Sequence, residues 1–183
     1  MCGFLIHSLK NNIKPSESLQ LRGPDSFQEI LFNNLIFKHW RLTIVGNNDF
    51  GSQPKFNQKL IMLFNGEIFN YKFLAKKFNL SKKSHFSDTE CIFELFNKYK
   101  NYDDFIKLFN GHFSVVLYVK KDDSFVFFRD QMGVKPLYFF NKSKSIFLCS
   151  DLRTLVNFKK EKISKENFFE DLVFGGQTGE RTS

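Results

Sequence analysis

Phe113-Ser114-Val115-Val116-Leu117-Tyr118-Val119 places Val115, Val116 and Leu117 in succession, so the run is apolar on both faces. Successive side chains of a strand point to opposite sides. A strand with one side in water alternates apolar with polar residues, whereas this one needs cover above and below. Two sheets packed face to face, with helices outside each, supply that cover. The predicted class is α+β, with two stacked sheets between helical layers.

Downstream of this run, residues 125–128, 137–140 and 146–148 read as strands, with turns at Asp122-Asp123 and at 141–144. Upstream lie helical periodicities. Phe73, Leu74 and Phe78 follow Asn70 as an N-cap, and Ile92, Leu95, Phe96 and Tyr99 form a stripe behind Ser87-Asp88-Thr89-Glu90, which has the form of a capping box. Phe105, Leu108 and Phe109 predict a third, short helix. Residues 60–64 read as a wholly apolar strand and 46–54 as a loop. Residues 27–32 and 35–39 read as strands joined by a hairpin turn at Asn33-Asn34. Arg22-Gly23-Pro24-Asp25 is a turn, residues 10–20 a polar loop with Pro15, and residues 3–9 a strand at the very N-terminus.

The 183 residues fit one domain. Twenty-six phenylalanines beside one tryptophan read as core filling rather than as base-stacking platforms. A net charge of +8 raises nucleic-acid binding. The lysines come as scattered pairs, such as Lys76-Lys77 and Lys82-Lys83, so solvated surface is the preferred reading. Cys2, Cys91 and Cys149 show no metal spacing, and no secretory or membrane-spanning segment is read, so a cytoplasmic protein is expected.

Cys2 directly follows the initiator Met. Once Met1 is removed, one residue carries a sulfur nucleophile and an α-amine of pKa about 7.7–8.0, which serves as base. Alone, an early cysteine is most simply a small buried residue. Asn65-Gly66-Glu67 follows the apolar strand. It reads either as a tight turn or as an oxyanion hole, built from a side-chain amide and a backbone N–H that glycine leaves approachable. Arg41 offers a fork for a carboxylate, with a surface ion pair as the plain alternative. Asp88 suits either a ligand ammonium or the dipole of its helix. All four features suit glutamine, which has an amide to attack, a carboxylate and an ammonium.

Met1-Cys2-Gly3, Arg22-Gly23-Pro24-Asp25, Arg41-Leu42-Thr43-Ile44, Gln53-Pro54, Asn65-Gly66-Glu67-Ile68-Phe69-Asn70, Ser87-Asp88-Thr89-Glu90 and residues 129–138 together resemble, in order, the class II glutamine amidotransferase domain of asparagine synthetases. The resemblance implies a four-layer α/β/β/α N-terminal-nucleophile hydrolase fold with two stacked, mainly antiparallel sheets and Cys2 on an inner strand. It also implies Cys2 as nucleophile, with Asn65 and Gly66 as oxyanion hole. Arg41 would hold the glutamine carboxylate, Glu67 and Asp88 would lie near its ammonium, and main-chain groups of Leu42, Thr43, Ile44 and Val45 would line the pocket.

The same resemblance implies a glutaminase domain over residues 1–174 and, at the Gly-rich residues 175–183, the start of a linker toward a synthetase domain in cis or in trans. ATP and magnesium are expected only in that other domain, and a homodimer is left open. Gly46 stands where the family usually has Asp, and the segment between Cys2 and Arg22 is short for the helix expected there. The rival readings are an amidotransferase for another acceptor (a sugar, a peptide or another carboxylate) and a non-catalytic basic module that keeps the fold.

Overall fold

The computed structural model describes residues 1–11, 13–46, 48–99, 102–142 and 145–159. Its strands are β1 (Gly3–Ser8), β2 (Ser26–Phe32), β3 (Leu35–Arg41), β4 (Lys55–Phe56), β5 (Leu60–Ile68), β6 (Gly111–Val119), β7 (Ser124–Arg129), β8 (Tyr138–Lys142) and β9 (Ser145–Cys149). The helices are α1 (Glu17–Leu21), α2 (Asn48–Gly51), α3 (Tyr71–Lys77), α4 (Asp88–Lys98), α5 (Tyr102–Ile106) and α6 (Leu152–Lys159). The strands form a five-stranded sheet of order β2-β3-β1-β9-β8 and a four-stranded sheet of order β4-β5-β6-β7. Each pairing of neighbouring strands is antiparallel.

The two-faced run divides as its pattern requires. Val116 and Tyr118 of β6 pack with Phe4, Ile6, Phe37 and Leu63 between the sheets. Val115 and Leu117 face the other way, onto Leu74, Ile92, Leu95 and Phe105 of the helices. Behind the five-stranded sheet, Leu5, Trp40, Phe147 and Cys149 meet Leu19 of α1 and Leu155 and Phe158 of α6. Helix, sheet, sheet and helix therefore stack as four layers around three apolar seams, the α+β arrangement expected.

Phenylalanine fills the helix-side seam. Phe105 is fully buried and meets Phe96, Phe109 and Phe128 edge-on, with ring centroids 5.4, 4.9 and 5.8 Å away. Such edge-to-face contacts add to the area these rings bury. The aromatic excess serves the core in this region.

Local expectations fared unevenly. Asn33 and Asn34 take positive φ and close the β2–β3 hairpin. The supposed loop at 10–20 instead holds α1, whose N-cap Ser16 accepts from the Leu19 N–H through its side chain. The loop at 46–54 contains α2, and β4 and α6 were not foreseen. The strand at 60–64 runs on to Ile68, because β6 pairs with it as far as Gly111. Asn65-Gly66 is thus inside a strand and is no turn. The capping box does not form: the Ser87 hydroxyl has no partner, and Glu90 pairs with Lys55 instead of reaching back. Asn70 precedes α3 without a side-chain cap, since its amide donates to Leu108 O and accepts from Asn110 N–H. The expected linker at 175–183, and the domain boundary before it, lie outside the described residues.

Phe105→Ala should lower stability by about 3–5 kcal/mol in urea denaturation, the usual cost of deleting a buried ring. A loss under about 1 kcal/mol would mean the aromatic cluster is loosely packed.

Candidate active site

Side chains of β1 alternate between the inter-sheet seam (Phe4, Ile6) and the outer one (Leu5). Continuing that alternation, Cys2 opens toward the gap between the sheets. Gly3 pairs with Trp40, so Cys2 arrives level with the end of β3. There its Sγ lies 3.4 Å from the Leu42 nitrogen and 3.5 Å from the Leu42 carbonyl oxygen. Burial pushes the Cys2 thiol up, against the pull of the Leu42 N–H, the terminal amine and Arg41. The end of β3 is fixed by Asp25, whose N–H donates to Arg41 O at 3.0 Å and whose carboxylate accepts from Thr43 N–H at 2.6 Å.

Arg41 is buried and shares the inter-sheet face of β3 with Phe37 and His39. Its Nη2 donates to Gly46 O at 2.9 Å. Gly46 has φ +73°, a left-handed conformation that suits glycine. A side chain there would be strained with that backbone, and its Cβ would lie 3.1 Å from Ser87 Cβ. A Cβ on Gly51 would lie 2.1 Å from Arg41 Nη2, so the guanidinium rests on bare backbone.

Asn65 is fully buried, and neither its Oδ1 nor its Nδ2 has a hydrogen-bond partner. It shares a strand face with Ile61 and Leu63, which pack between the sheets, so its amide points into the same gap as Cys2. Buried polar groups are nearly always paired, and an unpaired amide here fits a donor reserved for a ligand. Gly66 has φ +139°, and a Cβ there would lie 2.0 Å from His112 O, so only glycine fits.

Asp88 opens α4. Its Oδ2 accepts from Ile68 N–H at 3.1 Å and its Oδ1 from Thr89 N–H at 2.8 Å. Burial raises its carboxyl to about 6, these two donors oppose the rise, and the charge of Glu67 adds to it. An acid held that high gains most from a cationic ligand.

Cys2, Arg41, Leu42, Ile44, Val45, Gly66 and Asp88 line one pocket with Gly51, Gln53, Phe64 and Thr89. The cavity is about 20 Å³, room for roughly one water. Thr43 does not line it: the residue is exposed, and its N–H is held by Asp25. Glu67, half-buried, and Asn65, buried, flank the lining residue Gly66 in sequence but do not themselves line the pocket.

Sequence reasoning missed Gly51, Phe64, Thr89 and, beneath the pocket, His39. His39 Nε2 lies 3.4 Å from Phe64 O, and burial drives its pKa down to about 3, so it is neutral and donates across the gap between sheets. Gln53 accepts from Phe64 N–H at 2.6 Å. Gln53, in Gln53-Pro54, and Thr89, in Ser87-Asp88-Thr89-Glu90, left a trace in the sequence as parts of the resembling motifs. Among the described residues no group of three or more His, Cys, Asp or Glu could hold a metal ion.

A model of the glutamine amidotransferase domain matches residues 1–182. A probable asparagine synthetase (glutamine-hydrolyzing) of Dictyostelium discoideum is 35% identical over 170 residues, 85% of this chain and 30% of that protein. Asparagine synthetase (glutamine-hydrolyzing) 2 of Arabidopsis thaliana is 32% identical over 167 residues, 85% of this chain and 28% of that protein. The chain thus spans about a third of the length of the curated relatives it matches. Among solved structures, glutamine phosphoribosylpyrophosphate amidotransferase from B. subtilis, complexed with ADP and GMP, superposes with a TM-score of 0.65 at 15% identity. That superposition covers 86% of this chain and 43% of the other. At so low an identity the likeness is one of fold.

Asp88 also gives a test that needs no substrate. A carboxyl raised to about 6 holds its proton more tightly folded than unfolded, so its contribution to stability is greatest below the ordinary value of 3.8. That contribution is lost as pH rises through about 6. Urea denaturation should therefore show wild type losing stability relative to Asp88→Ala as pH rises across that window. A flat difference would mean that Asp88 is not desolvated.

Proposed function

The chain belongs to the glutamine amidotransferase domain family, and from that premise we propose that it hydrolyses the side-chain amide of glutamine to glutamate and ammonia for an ATP-dependent synthesis of asparagine from aspartate. The observation that carries this is the joining of Cys2, Arg41 and Asp88 in one pocket, a thiol between a fixed cation and a desolvated acid. Glutamine's carboxylate matches the Arg41 fork, and its ammonium matches Asp88 with Glu67 alongside. Its amide then meets Cys2. The main chain of Leu42, Ile44 and Val45 borders the substrate, whereas that of Thr43 is held by Asp25.

Cys2 Sγ attacks the amide carbon. The carbonyl oxygen becomes an oxyanion, taken by Asn65 Nδ2 and the Gly66 N–H. Collapse of this intermediate forms a thioester and expels the nitrogen, which leaves as ammonia once it receives the thiol's proton. Water then attacks the thioester, releases glutamate and restores the thiol. With Met1 removed, the amine of Cys2 itself carries that proton between steps. A half-buried thiol with a raised pKa needs such a base, because only the thiolate is nucleophilic.

Two observations support asparagine synthesis as the destination. Relatives at 32–35% identity are named as glutamine-hydrolysing asparagine synthetases, and this chain spans about a third of their length. The partner is then a synthetase domain, in cis or in trans, that supplies ATP and magnesium. Three free cysteines suit a reducing, cytoplasmic setting.

Cys2→Ala should abolish ammonia release from glutamine and leave the circular dichroism spectrum unchanged; retained turnover would remove Cys2 from the mechanism. Mass spectrometry of active protein should find the species without Met1. Arg41→Lys should act mainly by raising KM, whereas Asn65→Ala should lower kcat about 10²–10³-fold. An Asn65→Ala variant changed only in KM would count against the oxyanion role.

A further inference from the structure

Ser114 lies directly opposite Asn65 in the β5–β6 ladder. It shares a face of β6 with Val116 and Tyr118, which pack between the sheets, so its hydroxyl points to the same side as the Asn65 amide. Directly opposed residues in an antiparallel pair have Cβ atoms about 4.5–5.5 Å apart, within reach of a bond between two short polar side chains. Both residues are fully buried. Ser114 Oγ, Asn65 Oδ1 and Asn65 Nδ2 are all without partners. Three unpaired polar atoms on one rung of a ladder need a common explanation.

The neighbours leave the hydroxyl little choice. On the same face, Val116 and Leu63 are apolar and pack in the inter-sheet seam. On the other flank of β6, Ser114 is opposed by Arg129, which has only donors, and these go to Lys135 O and Gly133 O. Glu67 is two residues along β5, on the longer diagonal. Asn65 Oδ1 is the acceptor that register brings closest. As the side chains stand, Ser114 Oγ does not bond either end of the amide, but a turn about the Cα–Cβ bond of either short side chain can bring the pair together without moving the backbone.

We propose that Ser114 is a positioning residue for the Asn65 amide: its hydroxyl donates to Oδ1 and thereby turns Nδ2 toward the oxyanion that forms beside Cys2. This rests on the oxyanion role given to Asn65 above. An amide free to turn would offer the developing negative charge its own carbonyl oxygen half the time. A donor fixed on Oδ1 removes that state before substrate arrives, which is preorganisation of the kind that lowers a barrier. Ser114 is not among the residues that line the pocket.

The test is ammonia release by wild type, Ser114→Ala, Asn65→Ala and the double variant, with melting temperature followed in parallel. Ser114→Ala deletes one buried oxygen and leaves the strand intact, so its melting temperature should not fall. Its kcat should fall about tenfold with KM for glutamine unchanged, the scale of one coupled pair. In the Asn65→Ala background the same change should have no further effect on kcat. An unchanged kcat in Ser114→Ala, a loss carried by KM alone, or an equal loss in both backgrounds would each overturn the inference and leave the glutaminase reading standing. Wild type that releases no ammonia would overturn that reading, and the inference with it.

Discussion

β1 is hydrogen-bonded to β3 on one side and to β9 on the other, and every residue from Gly3 to Ser8 is buried. A strand paired on both edges and covered on both faces cannot shift register without turning Phe4 and Ile6 out of the inter-sheet seam. The same constraint fixes the residue before it. Cys2 has no freedom to leave the gap, although it is only second in the chain. Further contacts hold the strand: Phe4 N–H donates to Ser150 Oγ, and a Cβ on Gly3 would lie 2.5 Å from Leu19 O of α1. The position of Cys2 is therefore set by the core of the domain.

Around that strand, buried or partly buried carboxylates fasten the connecting segments by collecting backbone N–H groups. Asp130 accepts from Phe113, Val134 and Lys135, tying the 130–135 turn to β6. Asp151 accepts from the Thr154 N–H and from the hydroxyls of Ser16 and Ser18, joining α1 to the start of α6. In both, burial pushes the carboxyl up, but the hydrogen bonds outweigh it and hold the group below its usual range. Their stabilisation is present above the unfolded value and fades as the medium turns acid. Asp88 has two such donors and is still raised, because it is more deeply desolvated and faces Glu67. The fastening acids have their donors already, whereas Asp88 retains an unmet demand for positive charge. That difference sets it apart from the two fastening acids.

Much of this was legible in the sequence because apolar alternation is a local signal. The doubly apolar run at Val115, Val116 and Leu117 implied two sheets with helical cover, and Asn33-Asn34 implied its turn. What failed depended on partners distant in sequence. Asn65-Gly66 has the composition of a turn, but pairing with Ser114 and Phe113 keeps it in a strand. Ser87 and Glu90 have the spacing of a capping box, but Lys55, 35 residues away, takes the glutamate. Arg22-Gly23-Pro24-Asp25 could be read as a turn, though not as the clamp on the end of β3 that it is. His39 and Phe64 gave no signal, because their bond joins two sheets that no local pattern places in contact.

Arg41 supplies the positive charge in the wall of this small pocket. Arg41 now donates to the carbonyl of Gly46, a neutral acceptor, and rests against Gly51. A carboxylate is the stronger acceptor, because both partners then carry charge. Exchange of Gly46 O for a substrate carboxylate is therefore favourable at the guanidinium. The pocket wall thus has a cation held in place by neutral backbone, where an added carboxylate would find the stronger of the two partners.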